Sequence, residues 1–279
     1  SIDVAKCIKL YSNMNNKVNY LKQEIIPNDV KLLAIPTTAG TGSEATRYAV
    51  IYYNGEKQSV SDYSCIPSTV LFDASALKSL PEYQRKATMF DAFCHAIESF
   101  WSVNSTDESK SYSKRAIQLI LNNLDGYLAN KDEANKNMLE AANYAGKAIN
   151  ITQTTAGHAM CYKLTGLYNI AHGHAAALCV SKLWSYMIDN TSLCIDSRGE
   201  KYLQTVFEEM AEAMNVKNAK DACLKFNKIL RDVSFNKITG IEESDYDKLR
   251  TSVNPVRLKN NPVQLSEESI NVLYHQILA

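Results

Sequence analysis

The sequence predicts a chain in two parts, an α/β segment over residues 1–79 followed by an all-helical domain over residues 80–279. Short apolar and β-branched runs between turn residues fill the first part, as is typical of strands. Long segments with apolar residues three and four positions apart fill the second part, as is typical of amphipathic helices. The length of 279 residues agrees with two domains, since a domain takes roughly 100–200 residues.

The α/β segment is predicted to begin with a helix, because residues 2–10 place apolar side chains at helical spacing. The apolar run LLAI ends at Pro36 and predicts a buried strand that leads into the loop PTTAGTGSE. The segments YAVIYY, KQSVSD and STVLFD predict further short strands. The sequence YNGE between the first two of these predicts a hairpin turn.

The helical domain is predicted to start near Ser79 and Pro81, which are typical of a helix beginning. Its first helix contains the stretch DAFCHAIESFW. Further helices are predicted for ESKSYSKRAIQLILNNLDGYL, NMLEAANYAGKAINI, AALCVSKLWSYMIDN, YLQTVFEEMAEAM, DACLKFNKILRDV and SEESINVLYHQIL.

Composition narrows the function classes. The formal net charge is +0 at pH 7, which gives no electrostatic reason to expect nucleic acid or a membrane surface as partner. No uninterrupted apolar run reaches the ~18 residues of a membrane span, and no signal-peptide pattern is visible. The 7 cysteines have no CxxC spacing and are odd in number, which favours reduced thiols in the cytoplasm.

The loop PTTAGTGSE, residues 36–44, combines hydroxyl side chains with two glycines directly after a predicted strand. Hydroxyls and free backbone amides at such a place suit a pyrophosphate, because both donate hydrogen bonds to phosphate oxygens. The loop is neither a Walker loop nor a GxGxxG turn. A polar turn without a ligand is the alternative interpretation.

Asp91 and His95 stand four positions apart in an apolar stretch, so both side chains share one helical face. His158, His172 and His174 lie in a second cluster of small and apolar residues. Imidazoles with one carboxylate suit a divalent metal such as iron or zinc. The alternative is a set of core histidines satisfied by packing. His172 and His174 are two residues apart and point in different directions, so only one of them is expected to be a ligand.

Taken together, PTTAGTGSE, then DxxxHAIE, then a histidine followed fourteen residues later by HG resemble the iron-containing alcohol dehydrogenases over nearly the whole chain. The resemblance implies a dinucleotide-binding α/β domain, of which residues 1–79 are the C-terminal part, followed by an all-helical metal-binding domain, the dehydroquinate synthase-like architecture. It also implies that a GGGS turn and most of the nucleotide-binding domain precede Ser1.

The resemblance assigns roles to individual residues. The implied metal ligands are Asp91, His95, His158 and His172. Tyr162 replaces a histidine that many members carry four residues after the third ligand, so the implied catalytic neighbours are Tyr162 and His174. The NAD or NADP phosphates and their surroundings are assigned to Asp3, Thr37, Thr38, Thr41, Ser43 and Lys57.

The segments FWSVNSTDESKSYS, AGKAINITQTTAGHAMCYKLT and AHGHAAAL resemble the phosphonoacetaldehyde reductase branch of the family. This implies reversible hydride transfer between nicotinamide and a small aldehyde such as phosphonoacetaldehyde, with iron or zinc and NAD or NADP as cofactors. A phosphonate needs cationic partners, for which Arg47, Lys147 and Lys163 are candidates. A homodimer or higher homo-oligomer is the default expectation.

Two alternatives remain at the level of sequence. One is a non-catalytic helical metal-binding domain or assembly subunit. The other is a synthase-like member of the wider superfamily, against which the PTTAGTGSE and DxxxHAIE motifs argue.

Overall fold

The computed structural model of the chain describes residues 2–53 and 56–279, and it describes no side chains between residues 52 and 57. The centre of the predicted YNGE turn and the side chain of Lys57 therefore lie outside the described part. No helix among the described residues is long and apolar enough to cross a membrane.

The first part of the chain forms one helix and two small sheets. Helix α1 spans Ile2–Tyr11. Strand β1 pairs in parallel with β4, and β2 pairs with β3 in an antiparallel hairpin whose register places Val50 opposite Ser59. All four predicted strands are confirmed, with bounds β1 Leu33–Ala34, β2 Tyr48–Tyr53, β3 Glu56–Ser61 and β4 Thr69–Val70.

The second part is helical throughout, as predicted, apart from a single β-bridge. Helices α5, α9 and α10 were not predicted individually. Helix α5 is rich in small residues, α9 is mostly polar and α10 has only 4 residues, so none shows a clear amphipathic stripe. The bounds are α2 Glu82–Trp101, α3 Asp107–Leu128, α4 Asp132–Thr152, α5 Ala156–Tyr168, α6 His172–Asp189, α7 Glu200–Ala213, α8 Ala219–Val233, α9 Glu243–Ser252, α10 Pro255–Leu258 and α11 Glu267–Leu278.

Helix α2 is the centre of the helical part and is buried on nearly every side from Met89 to Trp101. It packs against α3, α4 and α6. Its C-terminal end is fixed by Trp101, whose ring meets the ring of Trp184 edge to face at 5.5 Å. A buried helix of this kind holds its polar side chains in fixed positions, which is what a metal site requires.

The loop after β1 is pressed against helix α4. Gly42 has a φ of 59°, and a Cβ there would lie 2.6 Å from the carbonyl oxygen of Ala142. Two hydrogen bonds reinforce the contact, because Asn143 Nδ2 donates to Glu44 and the Arg47 amide donates to Asn150 Oδ1. This glycine therefore permits close packing of loop on helix, a reason for its presence that is independent of any ligand.

Candidate metal centre

Three helices bring the predicted metal ligands together. Asp91 and His95 lie on α2, His158 lies in the first turn of α5, and His172 is the first residue of α6. Oxygen and nitrogen atoms of Asp91, His158 and His172 lie within 4.8 Å of one another.

The distances centre on one carboxylate oxygen. Asp91 Oδ1 lies 3.4 Å from His158 Nε2, 3.8 Å from His172 Nε2 and 3.9 Å from His95 Nε2. Atoms that bind one tetrahedral metal at about 2.1 Å stand about 3.4 Å apart. The donor set and its spacing therefore fit a divalent metal.

His95 lies beside the compact group of three. Its ring stacks on the ring of His158 with centroids 4.5 Å apart and an angle of 15°. Its Nδ1 atom is buried and has no hydrogen-bond partner among the described residues, while its Nε2 faces Asp91. Packing alone therefore holds the Nδ1 side of this buried ring, while Nε2 points into the cluster. This arrangement is compatible with His95 as a further metal ligand.

Close packing of α6 on α2 sets the position of His172. Gly173 follows it, and a Cβ added there would lie 1.9 Å from the carbonyl oxygen of Ala87 and 2.8 Å from Asp91 Cβ. Only glycine allows the start of α6 to approach α2 this closely. The HGH sequence thus carries a packing requirement between its two histidines.

Glu98 orients His158 and is fully buried. Its Oε2 accepts a hydrogen bond from His158 Nδ1, which leaves Nε2 facing Asp91. Its Oε1 accepts from the His158 amide at 3.2 Å, and from the amide and hydroxyl of Thr155 at 3.1 Å and 2.6 Å. A carboxylate behind a ligating histidine fixes the tautomer that can bind a metal. The sequence analysis assigned no role to Glu98, although it is the last residue of the quoted HAIE motif.

The pKa values of the cluster follow from burial and from these carboxylates. Burial alone would raise the pKa of Asp91, but the imidazoles of His95, His158 and His172 hold it below its usual range. Burial would lower the pKa of His158, but Glu98 and Asp91 outweigh it and raise that pKa to about 9. Burial lowers the pKa of His95 to about 4, so this imidazole is neutral at pH 7 and can act as a ligand.

Tyr162 lies next to the cluster. Its ring stacks on the ring of His172 with centroids 5.4 Å apart and an angle of 19°. Burial raises the pKa of its hydroxyl above the usual range, so the phenol keeps its proton at neutral pH. The ring of Tyr162 therefore borders the cluster of predicted ligands.

His174 makes its contacts away from the cluster. Its Nδ1 lies 3.1 Å from the hydroxyl of Tyr83, and its ring stacks on Phe235 with centroids 4.0 Å apart. Burial lowers the pKa of His174 to about 4. The structure therefore does not bring this predicted catalytic residue together with the four predicted ligands. His174 is two residues after His172, and each helical residue rotates by about 100°, so the two side chains lie on different sides of α6.

In the loop PTTAGTGSE, residues 36–44, here called the threonine loop, some hydroxyl groups face solvent and others form hydrogen bonds within the protein. The side chains of Thr37 and Thr41 are exposed, and Thr38 is half-buried. Ser43 donates to Asp3 Oδ1 at 2.5 Å, and Asp3 Oδ2 accepts from the Val50 amide at 3.0 Å. Two of the predicted cofactor contacts, Asp3 and Ser43, thus bind each other and fix the loop.

Lys6 supports the same loop from below and is fully buried. Its Nζ donates to the carbonyl oxygens of Ser43, Thr46 and Tyr48 at 2.5, 2.7 and 2.8 Å. Burial lowers the pKa of Lys6. A buried ammonium with three carbonyl acceptors is a structural clamp, because it satisfies three backbone groups at once.

The cations suggested for a phosphonate are engaged elsewhere or exposed. Arg47 donates to the hydroxyls of Tyr48 and Tyr63, and Lys147 lies over the ring of Tyr144. Lys163 is exposed on α5. A cation without a sequence motif, Arg257, instead lies above the ring of Tyr162.

Comparison with known proteins agrees with this architecture. The family model described as "Fe-containing alcohol dehydrogenase family, C-terminal" matches residues 86–278, and the model "Iron-containing alcohol dehydrogenase" matches residues 1–74. The chain is 28% identical over 255 residues to a phosphonoacetaldehyde reductase of Streptomyces viridochromogenes, covering 88% of this chain and 64% of that protein. It is also 28% identical over 258 residues to the lactaldehyde reductase of Escherichia coli K12, covering 88% of this chain and 65% of that protein.

A solved structure shows the same fold. The sulfoacetaldehyde reductase from Bifidobacterium kashiwanohense, in complex with NAD+, superposes with a TM-score of 0.88 at 24% identity, covering 100% of this chain and 73% of that one. The chain therefore spans about two thirds of the length of the curated relatives it matches. With its helical domain matched by one family model and its first part by another, the chain belongs to the iron-containing alcohol dehydrogenase family.

Proposed function

We propose that the protein is a metal-dependent, NAD(P)-linked reductase of small aldehydes, with phosphonoacetaldehyde and its product 2-hydroxyethylphosphonate as the substrate pair. The observation that carries this proposal is the convergence of Asp91, His158 and His172 from three helices, with His95 beside them. The relatives support it, since those compared above are named as reductases of phosphonoacetaldehyde, lactaldehyde and sulfoacetaldehyde.

The chain's own residues supply the framework for the chemistry. Asp91, His95, His158 and His172 would hold the metal, and the exposed hydroxyls of the threonine loop would meet the cofactor phosphates. When bound, the metal supplies Lewis acidity at a carbonyl oxygen and NAD(P)H supplies the hydride. Three imidazoles, each neutral once it binds the metal, and one carboxylate suit iron or zinc.

Reduction of an aldehyde also needs one proton at the carbonyl oxygen. Tyr162 retains its phenolic proton at neutral pH because burial raises its pKa. Its ring lies against His172 at the edge of the cluster. We assign to Tyr162 Oη a hydrogen bond to the substrate oxygen, with the proton replenished from solvent at this half-buried edge.

Metal content and activity of the full-length protein test the proposal. Mass spectrometry of protein purified without added metal should find about one iron or zinc per chain. His158→Ala should lose the metal, whereas the matched change His275→Ala, on the exposed side of α11, should keep it. The metal-loaded protein should oxidise NADH or NADPH in the presence of phosphonoacetaldehyde. Metal binding without turnover of any aldehyde would favour the non-catalytic alternative and overturn the proposal.

A further inference from the structure

The group of predicted metal ligands is exposed to solvent on one side. The side chains of Asp91 and His158 are 5% and 1% exposed, whereas that of His172 is 36% exposed. Tyr162 packs on the ring of His172 and is itself half-buried. Among the described residues of the cluster, His172 is therefore the exposed one, and Tyr162 lies beside it at this edge.

Arg257 lies next to Tyr162. Its Cζ atom is 5.6 Å from the centre of the Tyr162 ring. The ring of Tyr162 is in turn 5.4 Å from that of His172, so the guanidinium lies no farther than about 11 Å from the His172 ring. Of the residues named at the cluster's edge, Arg257 is the one that carries a permanent positive charge.

The positive charge of Arg257 has no carboxylate partner in the described part of the chain. No carboxylate forms an ion pair with it among the residues that the structure describes. Its guanidinium donates one hydrogen bond within the described residues, from Nη1 to Thr154 Oγ1 at 2.7 Å. A guanidinium has five N–H donors, so several remain for a ligand.

Contacts on both sides of Arg257 in the sequence fix its position. Helix α10 begins with Pro255 and is capped by Asn254, whose side chain accepts from the Val256 amide. On the other side Asn260 Nδ2 donates to the Thr154 carbonyl at 3.1 Å, which ties the same loop to the end of α10. A guanidinium held at its base and at one nitrogen loses little freedom when it binds a ligand.

We propose that Arg257 is the residue that selects the substrate, by binding the anionic group of a small aldehyde that carries a phosphonate, sulfonate or carboxylate close to its carbonyl. The assignment rests on the proposed function and specifies the substrate class of the same site. Phosphonate and sulfonate oxygens match the planar fork of a guanidinium, which binds two of them at once.

The length of such a substrate can be compared with the distance between the cluster and Arg257. An aldehyde with one carbon between its carbonyl and its anionic group spans about 5 Å between the two oxygens. A charge-assisted hydrogen bond adds about 2.8 Å. Together these lengths cover about 8 Å, and the guanidinium lies at most about 11 Å from the His172 ring. A neutral aldehyde of the same length would carry no group that binds a guanidinium.

The test compares anionic and neutral ligands in the full-length, metal-loaded protein. Arg257→Met removes the charge at similar length, Arg257→Lys keeps the charge without the fork, and Arg115→Met is the matched control at an exposed arginine of α3. Calorimetry measures binding of 2-hydroxyethylphosphonate and isethionate. Kinetics gives the ratio of kcat/KM for phosphonoacetaldehyde to kcat/KM for propionaldehyde.

We expect Arg257→Met to lower both the affinity for the two anions and the kcat/KM ratio about 30- to 100-fold, as for loss of hydrogen bonds between charged groups. Arg257→Lys should recover part of the loss, and Arg115→Met should match the parent protein. Melting temperature and metal content establish that each variant is folded and loaded.

An unchanged ratio and unchanged anion affinity in folded Arg257→Met would overturn the assignment while leaving the reductase proposal intact. Arg257-dependent binding of the anions by a protein that reduces no aldehyde would support the assignment and overturn the proposed function. A parent protein that reduces neutral aldehydes but binds neither anion would also overturn the assignment.

Discussion

Glu98→Gln is expected to weaken metal binding without removing any proposed ligand. Glu98 Oε2 accepts a hydrogen bond from His158 Nδ1, which leaves Nε2 facing Asp91 as the nitrogen that can exchange its proton for a metal. Glutamine has nearly the same volume, and its oxygen can keep the hydrogen bonds from Thr155 and the His158 amide. Its NH2 group then faces His158 Nδ1, where it can only donate.

The magnitude follows from the tautomer. Facing an NH2 group, His158 is stable with its proton on Nε2, the atom that must bind the metal. Binding then requires either an N–H to N–H contact or rotation of the amide away from Thr155. Each costs about one charge-assisted hydrogen bond, roughly 1.5–3 kcal/mol. We therefore expect a loss of about 10- to 100-fold in metal affinity, the range seen when the partner of a ligating histidine is removed.

Competition titrations of Zn2+ against a chromophoric chelator, at one fixed pH, measure this loss directly. The imidazole 15N signals of the metal-free variant report which nitrogen carries the proton. Ser99→Ala is the matched control, since Ser99 is the next residue, is equally buried and contacts Thr152 instead of the cluster. Should Glu98→Gln fail to fold, Glu98→Asp offers the same carboxylate one methylene shorter.

The reasoning would be refuted if folded Glu98→Gln bound Zn2+ as tightly as the parent protein. It would also fail if Ser99→Ala lost affinity to the same extent, because the effect would then come from repacking of α2 and not from the orientation of His158.

Three further changes test separate parts of the structure. His174→Phe should leave metal content unchanged, because His174 contacts Tyr83 and Phe235 and not the predicted ligands; metal loss equal to that of a proposed ligand variant would contradict this placement. Gly173→Ala should lower the free energy of unfolding by about 1–3 kcal/mol in denaturant titrations, since its Cβ would overlap α2, whereas Gly166→Ala on α5 meets nothing within 4 Å and should not destabilise. Lys6→Met should lower the free energy of unfolding, measured in the same way, by about 2–4 kcal/mol, because three carbonyl oxygens lose their hydrogen-bond donor. An equal loss of stability in the exposed control Lys163→Met would refute that cause.

Local patterns were enough to predict the framework and the partners on a single helix. The strand Tyr48–Tyr53 coincides with its predicted segment and Glu56–Ser61 is shifted by one residue from its own, because alternation and turn residues act over a few positions. Asp91 and His95 share a helical face for the same reason. The grouping of these residues with His158 and His172 came from resemblance, since no local pattern fixes the distance between three helices.

What could not be predicted depends on contacts distant in sequence. Glu98 and His158 are 60 residues apart, and Arg257 and Thr154 are 103 apart, so neither pair has a signature in spacing. The sequence could show that His172 and His174 point in different directions but not which of them faces α2. That choice follows from the approach of Gly173 to α2, a packing property of the folded chain.

The turn between α4 and α5 joins the two groups that carry the main proposals. Thr154 holds Arg257 through its hydroxyl, while the adjacent Thr155 donates its amide and hydroxyl to Glu98. Gln153 precedes them with φ 61° and ψ 177°, a backbone conformation that costs a residue other than glycine about 1–3 kcal/mol. Because the same strained turn positions the carboxylate behind the metal ligand and the guanidinium at the entrance, substitutions in it should change metal affinity and anion recognition together. Substitutions at Glu98 or Arg257 should change mainly one of the two.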